Sequence, residues 1–222
     1  MYKRFKKIIC VGIAAFIWTL TCITAWAGVD MDATFPVYSN SWQYWPAGPD
    51  IEGDTAVVME LETGAILYDK GMNAQRYPAS ITKIMTAMLI LENCDLNEQF
   101  IMTETGITDV YSGSSNSLSK IGEVFSIEQC LPMIMIKSAN DISTQVAEYI
   151  FGSVQKFTDR MNSRSIELGC QNTHFCNASG LENKDHYTSA HDMALIMREA
   201  LKYDKFREII SMNNVTIPAT NM

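Results

Sequence analysis

The feature that most constrains the fold is a segment from Ile84 to Leu91 that is apolar on nearly every side, with Ser80 and Lys83 just before it. A helix with apolar side chains around its whole circumference must lie inside a protein, because none of its faces suits water. Pro78 fits the entry to such a helix. We therefore predict a buried central helix with Ser80 in its first turn, where backbone N–H groups can face an oxyanion.

Ser80-Ile81-Thr82-Lys83 offers a nucleophile together with its own base. A serine hydroxyl is a poor nucleophile until a base activates it, and a lysine three residues further along a helix lies on the same face. Ser117 to Lys120 and Ser153 to Lys156 have the same spacing. The first of these lies in a Ser- and Gly-rich stretch that predicts a solvated loop, and Ser153 reads as a helix N-cap. Context therefore favours Ser80 as the nucleophile.

A second polar segment, Ser138-Ala139-Asn140, lies between two apolar helical segments. Ser126 with Gln129 forms a capping-box signature before the first of these, and the second ends at Gly152. A short polar loop in this position can be pressed into the core beside the central helix. Ser-x-Asn is nevertheless a short pattern, and it also occurs at Ser114 and at Ser211.

The remaining pattern mixes strands and helices. Two short apolar runs, Ala56 to Leu61 and Ala65 to Tyr68, flank a glycine turn and predict a β-hairpin. Amphipathic helices are predicted from Ser153 to Gly169 and from Ser189 to roughly Leu201, and Val215 to Ile217 could begin a strand. The chain is thus expected to be of the α/β (α+β) class.

The N-terminal residues 1–27 read as a signal peptide. Four basic residues precede an apolar run that ends in Ala25-Trp26-Ala27, the order expected of a secretory leader. The alternative is an uncleaved membrane anchor, since the run approaches the roughly 20 residues that span a bilayer. Residues 28–53 read as an N-terminal lead, and residues 54–222 as a partial catalytic domain. We expect the protein to be exported and extracytoplasmic.

Charge excludes one class of partner. Removal of the four basic residues in the leader leaves 13 basic and 25 acidic residues, a net charge of −12. Such a surface repels nucleic acid. The negative charge says little about a small substrate, because an acidic balance mainly favours solubility.

The mature chain holds four cysteines, Cys94, Cys130, Cys170 and Cys176. An exported protein permits disulfides, and the last two cysteines would close a short loop, but buried thiols fit equally well. The three histidines lie near the C-terminal pair, yet no CxxC or HExxH spacing occurs. We therefore expect no metal and no cofactor.

Taken in order, these motifs resemble the serine-type D-Ala-D-Ala carboxypeptidases, the low-molecular-mass penicillin-binding proteins of the peptidase S11 family. Tyr77 to Lys83 resembles the nucleophile motif of the family, and Ser138 to Asp141 resembles its second motif. Gly122-Glu123, Asn177 to Leu181 and His186 to Ser189 resemble further landmarks. The resemblance implies a β-lactamase/transpeptidase-like fold: an antiparallel sheet packed against helices, with a helical subdomain.

The resemblance also implies a mechanism. Ser80 would attack the carbonyl between the two terminal D-alanines of a peptidoglycan stem peptide, giving an acyl-enzyme that water hydrolyses. Lys83 would act as general base, which requires an amine held neutral by burial or by a nearby cation. Ser138 would relay a proton toward the leaving amine, and Asn140 would bind the substrate amide. β-Lactams would be covalent inhibitors.

The third motif of the family, Lys-Thr-Gly on a sheet strand, does not occur in these 222 residues. We expect that the sequence stops before that strand, so that the sheet is incomplete at the C-terminus and any C-terminal region that contacts the membrane is missing. The strand would supply the second oxyanion donor, and loss of one such donor costs about 10²–10³ in rate. The chain as written is therefore expected to be weak or inactive.

Three alternatives remain. A class A-like β-lactamase shares Ser-x-x-Lys but needs a deacylating glutamate, usually in Glu-x-x-x-Asn, and no glutamate here has Asn four residues on. A non-catalytic module with the penicillin-binding fold could have lost its third motif, and the reading frame beyond Met222 would distinguish it from an enzyme cut short. The chain could also be an exported α/β domain in which Ser-x-x-Lys is accidental.

Overall fold

The predicted buried helix lies at the centre of the computed structural model, which describes residues 29, 35, 37–39, 44–46, 48–108 and 113–222. Helix α1, Lys83–Asn93, is buried along Met85 to Ile90 and carries a 3₁₀ turn, Ala79–Thr82, at its N-terminal end. The predicted signal peptide lies outside the described residues. The division into residues 28–53 and 54–222 stays a prediction.

Among the described residues, six further helices follow in chain order: α2 Glu104–Ile107, α3 Ile127–Met135, α4 Asn140–Phe151, α5 Val154–Glu167, α6 Ala190–Ala200 and α7 Asp204–Ile210. Helices α3, α4, α5 and α6 pack against α1. The core consists mainly of the side chains between these helices, including Leu89, Leu131, Val146 and Ile196, all 0% exposed.

The part of the chain that the structure describes also contains two small antiparallel sheets. The first contains β1 Val37–Ser39, β2 Ala56–Met59 and β3 Ile66–Lys70 in the order β1-β3-β2, and the second pairs β4 Gln99–Ile101 with β5 Val124–Ser126. Strands β2 and β3 form the predicted hairpin, with Val57 opposite Asp69 and an irregularity after Val58. Strand β2 packs against α6. A helix therefore packs against this sheet, in line with the sheet-on-helix packing that the resemblance implies.

Local capping signals were predicted correctly. Ser126 and Gln129 form both hydrogen bonds of a capping box at the start of α3. Ser153 accepts a hydrogen bond from the backbone of Lys156 at the start of α5, and Ser189 accepts one from the backbone of Asp192 at the start of α6. These side chains satisfy backbone N–H groups that a helix start leaves without intrahelical partners.

Two expectations were wrong. Ser80 lies in the 3₁₀ turn rather than in the first turn of the α-helix, because the tighter turn extends to Thr82. Val215 to Ile217 form no strand in the described structure. Side-chain hydrogen bonds hold this terminal region instead. Asn221 accepts one from the backbone N–H of Val124 and donates one to the carbonyl of Gly122.

None of the four described cysteines forms a disulfide: Cys130 is a buried thiol, and Cys94, Cys170 and Cys176 are half-buried thiols. Across the part of the chain that the structure describes, no helix is long and apolar enough to cross a membrane.

The central position of α1 predicts a sharp difference between buried and exposed positions. Leu89→Ala removes a side chain that is 0% exposed, whereas Ile166→Ala removes one that is 73% exposed. We expect the first to lower the free energy of unfolding by about 2–5 kcal/mol and the second by less than about 0.5 kcal/mol. Urea unfolding followed by circular dichroism measures both. Equal losses would contradict the placement of α1 in the core.

Candidate active site

The serine predicted as nucleophile sits on an exposed, strained turn. Buried Pro78 leads into the 3₁₀ turn, and Ala79 has φ of 48°, in the left-handed region that non-glycine residues rarely adopt. Ser80 follows with an exposed side chain, and the chain then enters the buried helix at Lys83. A backbone outlier of this kind costs about 1–3 kcal/mol and is common at functional sites.

Lys83 lies below Ser80 with its side chain almost fully buried, at 2% exposure. Its amine donates to Oδ1 of Asn140 at 2.7 Å and to the backbone carbonyl of Ser179 at 2.6 Å. The distance from its Nζ to Oγ of Ser80 is 3.4 Å. The structure thus brings together the predicted base and nucleophile, with the amine held from two further sides.

The loop between α3 and α4 supplies the second polar group. Oγ of Ser138 lies 3.0 Å from Oγ of Ser80, and the Ser138 backbone has φ of 60°. Asn140 begins α4 and is 4% exposed. All four predicted site residues therefore meet in one place, although their assigned roles stay predictions.

Asp141 is a residue to which the sequence assigned no role. Its carboxylate is 0% exposed and accepts hydrogen bonds from Oγ of Ser117 at 2.5 Å and from the backbone N–H groups of Ser117 and Ser119 at 3.0 and 3.3 Å. Ser117 thus lies in a loop, as predicted, but its hydroxyl is bonded to a buried carboxylate rather than to solvent. A sequence signal for Asp141 was available, because this acidic residue directly follows Ser138-Ala139-Asn140.

Ser115 ties the same loop to the site. Its carbonyl accepts from the backbone N–H of Asn140 at 2.9 Å, and its hydroxyl donates to the carbonyl of Lys137 at 2.6 Å. The Ser-x-Asn pattern at Ser114 is thus not part of the group around Ser80 and Lys83. It instead supports the loop that carries Ser138. By contrast, Ser211 caps the end of α7 through the carbonyl of Glu208.

A third segment, the turn from Asn177 to Leu181, closes the site from the other side. Gly180 has φ of 84°, and a Cβ built there would lie 1.9 Å from the carbonyl oxygen of Ala79. The hydroxyl of Thr86 on α1 donates to the carbonyl of Ala178 at 2.7 Å. Only a glycine permits this approach of two backbones, so the turn is fixed against the strained residue that precedes Ser80.

His186 supports the turn that carries Ser80. The ring is 2% exposed, and its Nδ1 accepts from the backbone N–H of Cys176 at 3.3 Å. In the neutral ring Nε2 then carries the proton and donates to the hydroxyl of Thr82 at 2.9 Å. Burial, with a smaller contribution from the charge of His174, lowers the pKa of His186 from 6.5 to about 4.

A cavity of about 380 Å³ opens beside the nucleophile, between residues Tyr77 to Ala79 and residues Gly180 to Asn183. The described residues contain no group of three or more His, Cys, Asp or Glu side chains placed to hold a metal ion. What the site offers chemically is an exposed hydroxyl, a buried amine beside it and a second hydroxyl within hydrogen-bond distance. This set suits nucleophilic catalysis with proton transfer between side chains.

Comparison with known proteins points to one class. The chain is similar to penicillin binding protein 6B from Escherichia coli, with a TM-score of 0.75 at 26% identity over 83% of this chain and 61% of that one. It is also similar to D-alanyl-D-alanine carboxypeptidase DacD from Francisella tularensis, with a TM-score of 0.67 at 35% identity over 74% of this chain and 40% of that one. The fold is thus that of the penicillin-binding peptidases.

The family can be stated more closely. The profile described as Peptidase_S11, D-alanyl-D-alanine carboxypeptidase, matches residues 43–220, and the chain belongs to this family. It is 40% identical over 156 residues to D-alanyl-D-alanine carboxypeptidase DacF of Bacillus subtilis (strain 168), which covers 69% of this chain. The match spans 40% of that relative's length. The predictions of family and of fold class are confirmed.

The close approach at Gly180 predicts that a single methyl group disturbs the site. Gly180→Ala adds both left-handed strain and a collision with Ala79, whereas Gly152→Ala adds the strain alone, since nothing lies within 4 Å of its Cβ. We expect Gly152→Ala to cost about 1 kcal/mol of unfolding free energy and Gly180→Ala to cost at least about 2 kcal/mol more. Chemical denaturation measures the difference. Equal costs would contradict the packing of this turn on Ala79.

The pKa of His186 predicts how stability depends on pH. Because its pKa is lower in the folded chain, about 4 against 6.5, the unfolded chain binds the proton first. The contribution of the neutral ring is therefore complete above about pH 6.5 and is lost as pH falls toward 4. We expect His186→Gln to flatten the curve of unfolding free energy against pH in this window, measured by urea titrations. Parallel curves for the two proteins would contradict the prediction.

Proposed function

We propose that this protein is a serine hydrolase that removes the terminal D-alanine from peptidoglycan stem peptides through an acyl-enzyme on Ser80. The observation that carries the proposal is the contact of the exposed Ser80 hydroxyl with both the buried Lys83 amine and the Ser138 hydroxyl, at 3.4 and 3.0 Å. Family membership supports the same reaction. The chain spans 40% of the length of its Bacillus relative, so the whole activity belongs to this proposal.

In the first half-reaction, Oγ of Ser80 forms a bond to the carbonyl carbon between the two D-alanines. Its proton passes to the neutral amine of Lys83. The tetrahedral intermediate then expels the amine of the last D-alanine, which receives a proton through the hydroxyl of Ser138. This proton comes from the Lys83 ammonium and passes to the Ser138 hydroxyl, because the amine and that hydroxyl lie on the same Ser80 oxygen, at 3.4 and 3.0 Å. The product is an ester on Ser80 and free D-alanine.

In the second half-reaction, water attacks the ester and Ser80 is regenerated. The proton that the attacking water loses passes to the Ser80 oxygen as that oxygen leaves the acyl carbon, so the side chains return to their starting states. Asn140 contributes to both steps. Its Oδ1 accepts from Lys83, and this orients its Nδ2 group as a donor for a substrate amide carbonyl.

The backbone geometry supports the electrostatic part of the proposal. Ser80 sits at the N-terminal end of the buried helix, where N–H groups and the helix dipole favour a developing negative charge. We propose the N–H of Ser80 as one oxyanion donor. The partners proposed for the protein are stem peptides ending in D-Ala-D-Ala and, as covalent inhibitors, β-lactams. The proposed location is extracytoplasmic.

Reaction with benzylpenicillin tests the proposal. We expect a penicilloyl adduct on the peptide that contains Ser80, because the strained lactam carbonyl replaces the scissile amide and its acyl group stays attached. Intact mass and peptide mapping measure the adduct, with circular dichroism to establish folding and D-alanine release from a D-Ala-D-Ala peptide as a second assay. Ser80→Ala removes the proposed nucleophile and should abolish the adduct.

Ser117→Ala is the matched control, since Ser117 has the same spacing to a lysine but is bonded to Asp141. The Ser117 variant should still form the adduct on the Ser80 peptide. A folded wild-type chain that forms no adduct, or labelling that survives in Ser80→Ala, would contradict the proposal.

A further inference from the structure

The direction of the Lys83 amine depends on the backbone carbonyl of Ser179, a group that takes no part in the proposed chemical steps. The distance from Nζ to the carbonyl of Ser179 is 2.6 Å, shorter than the 3.4 Å to Oγ of Ser80. Asn140 provides the other short contact. Because two short contacts orient the amine and the contact with the nucleophile is longer, movement of the Ser179 carbonyl would turn the amine away from Ser80.

One side chain organises the turn that presents this carbonyl. Oδ1 of Asn177 accepts hydrogen bonds from the backbone N–H of Ser179 at 3.1 Å, from its hydroxyl at 3.2 Å and from the N–H of Gly180 at 2.7 Å. Nδ2 of Asn177 donates to the carbonyl of Leu181 at 2.9 Å. A single amide thus contacts three consecutive residues of the turn, of which Ser179 is the first.

The chemistry of these contacts selects an amide. Asn hydrogen bonds to the backbone two and three residues on are a known means of fixing a tight turn. A carboxylate would keep the three accepted bonds, but it would lose the donor to Leu181 and would place a negative charge near the amine of Lys83. An alanine would remove all four bonds and leave buried backbone groups of Ser179 to find other partners, since that residue is 1% exposed.

We propose that Asn177 is a positioning residue for the proposed reaction: it fixes the Ser179 carbonyl and, through it, the direction of the Lys83 amine toward Ser80. The inference rests on the proposed function, because it assigns Asn177 to the acylation step. It is limited to positioning, since Asn177 contacts the turn and not the reacting atoms.

The test compares Asn177→Ala and Asn177→Asp with a matched control, Asn162→Ala. Asn162 also brackets a backbone segment of the same connection between α5 and α6, donating to the carbonyl of Phe175 at 2.9 Å and accepting from its N–H at 2.7 Å. It does not contact the turn that carries Ser179 in these bonds. The control therefore removes a comparable pair of hydrogen bonds from a side-chain amide to a loop backbone, without the proposed link to Lys83.

The first readout is the rate of penicilloyl-Ser80 formation at saturating benzylpenicillin, measured against pH. We expect Asn177→Ala to lower this rate about 10- to 100-fold, because small misplacement of a catalytic group has effects of this size. The benzylpenicillin concentration that gives half of the maximal rate should change less than the rate itself. The Asn162→Ala variant should be acylated at the wild-type rate. In Asn177→Asp the acid limb of the pH profile should move to higher pH, because a nearby carboxylate favours the ammonium form. The buried titratable groups Asp141 and His186 are unchanged in every variant, so they do not account for a difference between the pH profiles.

The second readout does not need catalysis. Protein labelled with ¹³C at the lysine Cε position gives an NMR signal for Lys83, assigned with Lys83→Arg. We expect this signal to shift in both Asn177 variants and to stay in place in Asn162→Ala. If Asn177→Ala does not fold, Asn177→Ser retains one acceptor for the turn and replaces it in both measurements.

The outcomes separate the two proposals. A wild-type chain that never acylates, with a Lys83 signal that responds to Asn177, would remove the proposed function and retain the positioning. A folded Asn177 variant with the wild-type acylation rate, an unchanged pH profile and an unchanged Lys83 signal would overturn the positioning. An equal loss of rate in Asn162→Ala would also overturn it, because the effect would then be one of general destabilisation.

Discussion

The contacts of one buried amine join the three parts of the site. Lys83 is at the start of the central helix, and its two short hydrogen bonds reach residues 57 and 96 positions further along the chain. An amine placed in a protein interior without such partners would be strongly destabilising. The loop at Ser138 and the turn at Ser179 must therefore both be in place before α1 can be buried with its lysine. The site and the core around α1 therefore have to form together.

The surrounding polar groups follow the same rule. Asp141 and His186 are buried, and each is satisfied by neighbouring backbone or hydroxyl groups: Asp141 by the loop at Ser117, and His186 by Cys176 and Thr82. Both therefore attach a loop to an element that carries a site residue. Buried polar networks of this kind are costly when incomplete and specific when satisfied. The arrangement explains how short loops can hold the site residues in place.

The sequence predicted the local part of this structure and missed the part that depends on distant contacts. The continuous apolar run from Ile84 to Leu91 was sufficient for the buried helix, and the capping box at Ser126 located the start of α3. Spacing and context together paired Ser80 with Lys83. They could not show that the turn at Asn177 lies against Lys83, because the contact of the Lys83 amine with the Ser179 carbonyl joins segments far apart in sequence.

The two wrong expectations have a similar cause. Alternating side chains at Val215 to Ile217 favour a strand, but a strand forms only where a neighbouring strand provides hydrogen-bond partners. In the described structure this region is held by side-chain bonds of Thr220 and Asn221 instead. The 3₁₀ turn at Ser80 likewise depends on tertiary packing, since the carbonyl of Ala79 is met by the backbone of Gly180.

The left-handed backbone at Ser138 restricts which hydroxyl residue can occupy that position. Threonine carries the same hydroxyl, but its branched Cβ makes φ of 60° far less favourable than it is for serine. The loop conformation therefore favours serine over threonine at position 138, so the two hydroxyl residues are not equivalent there.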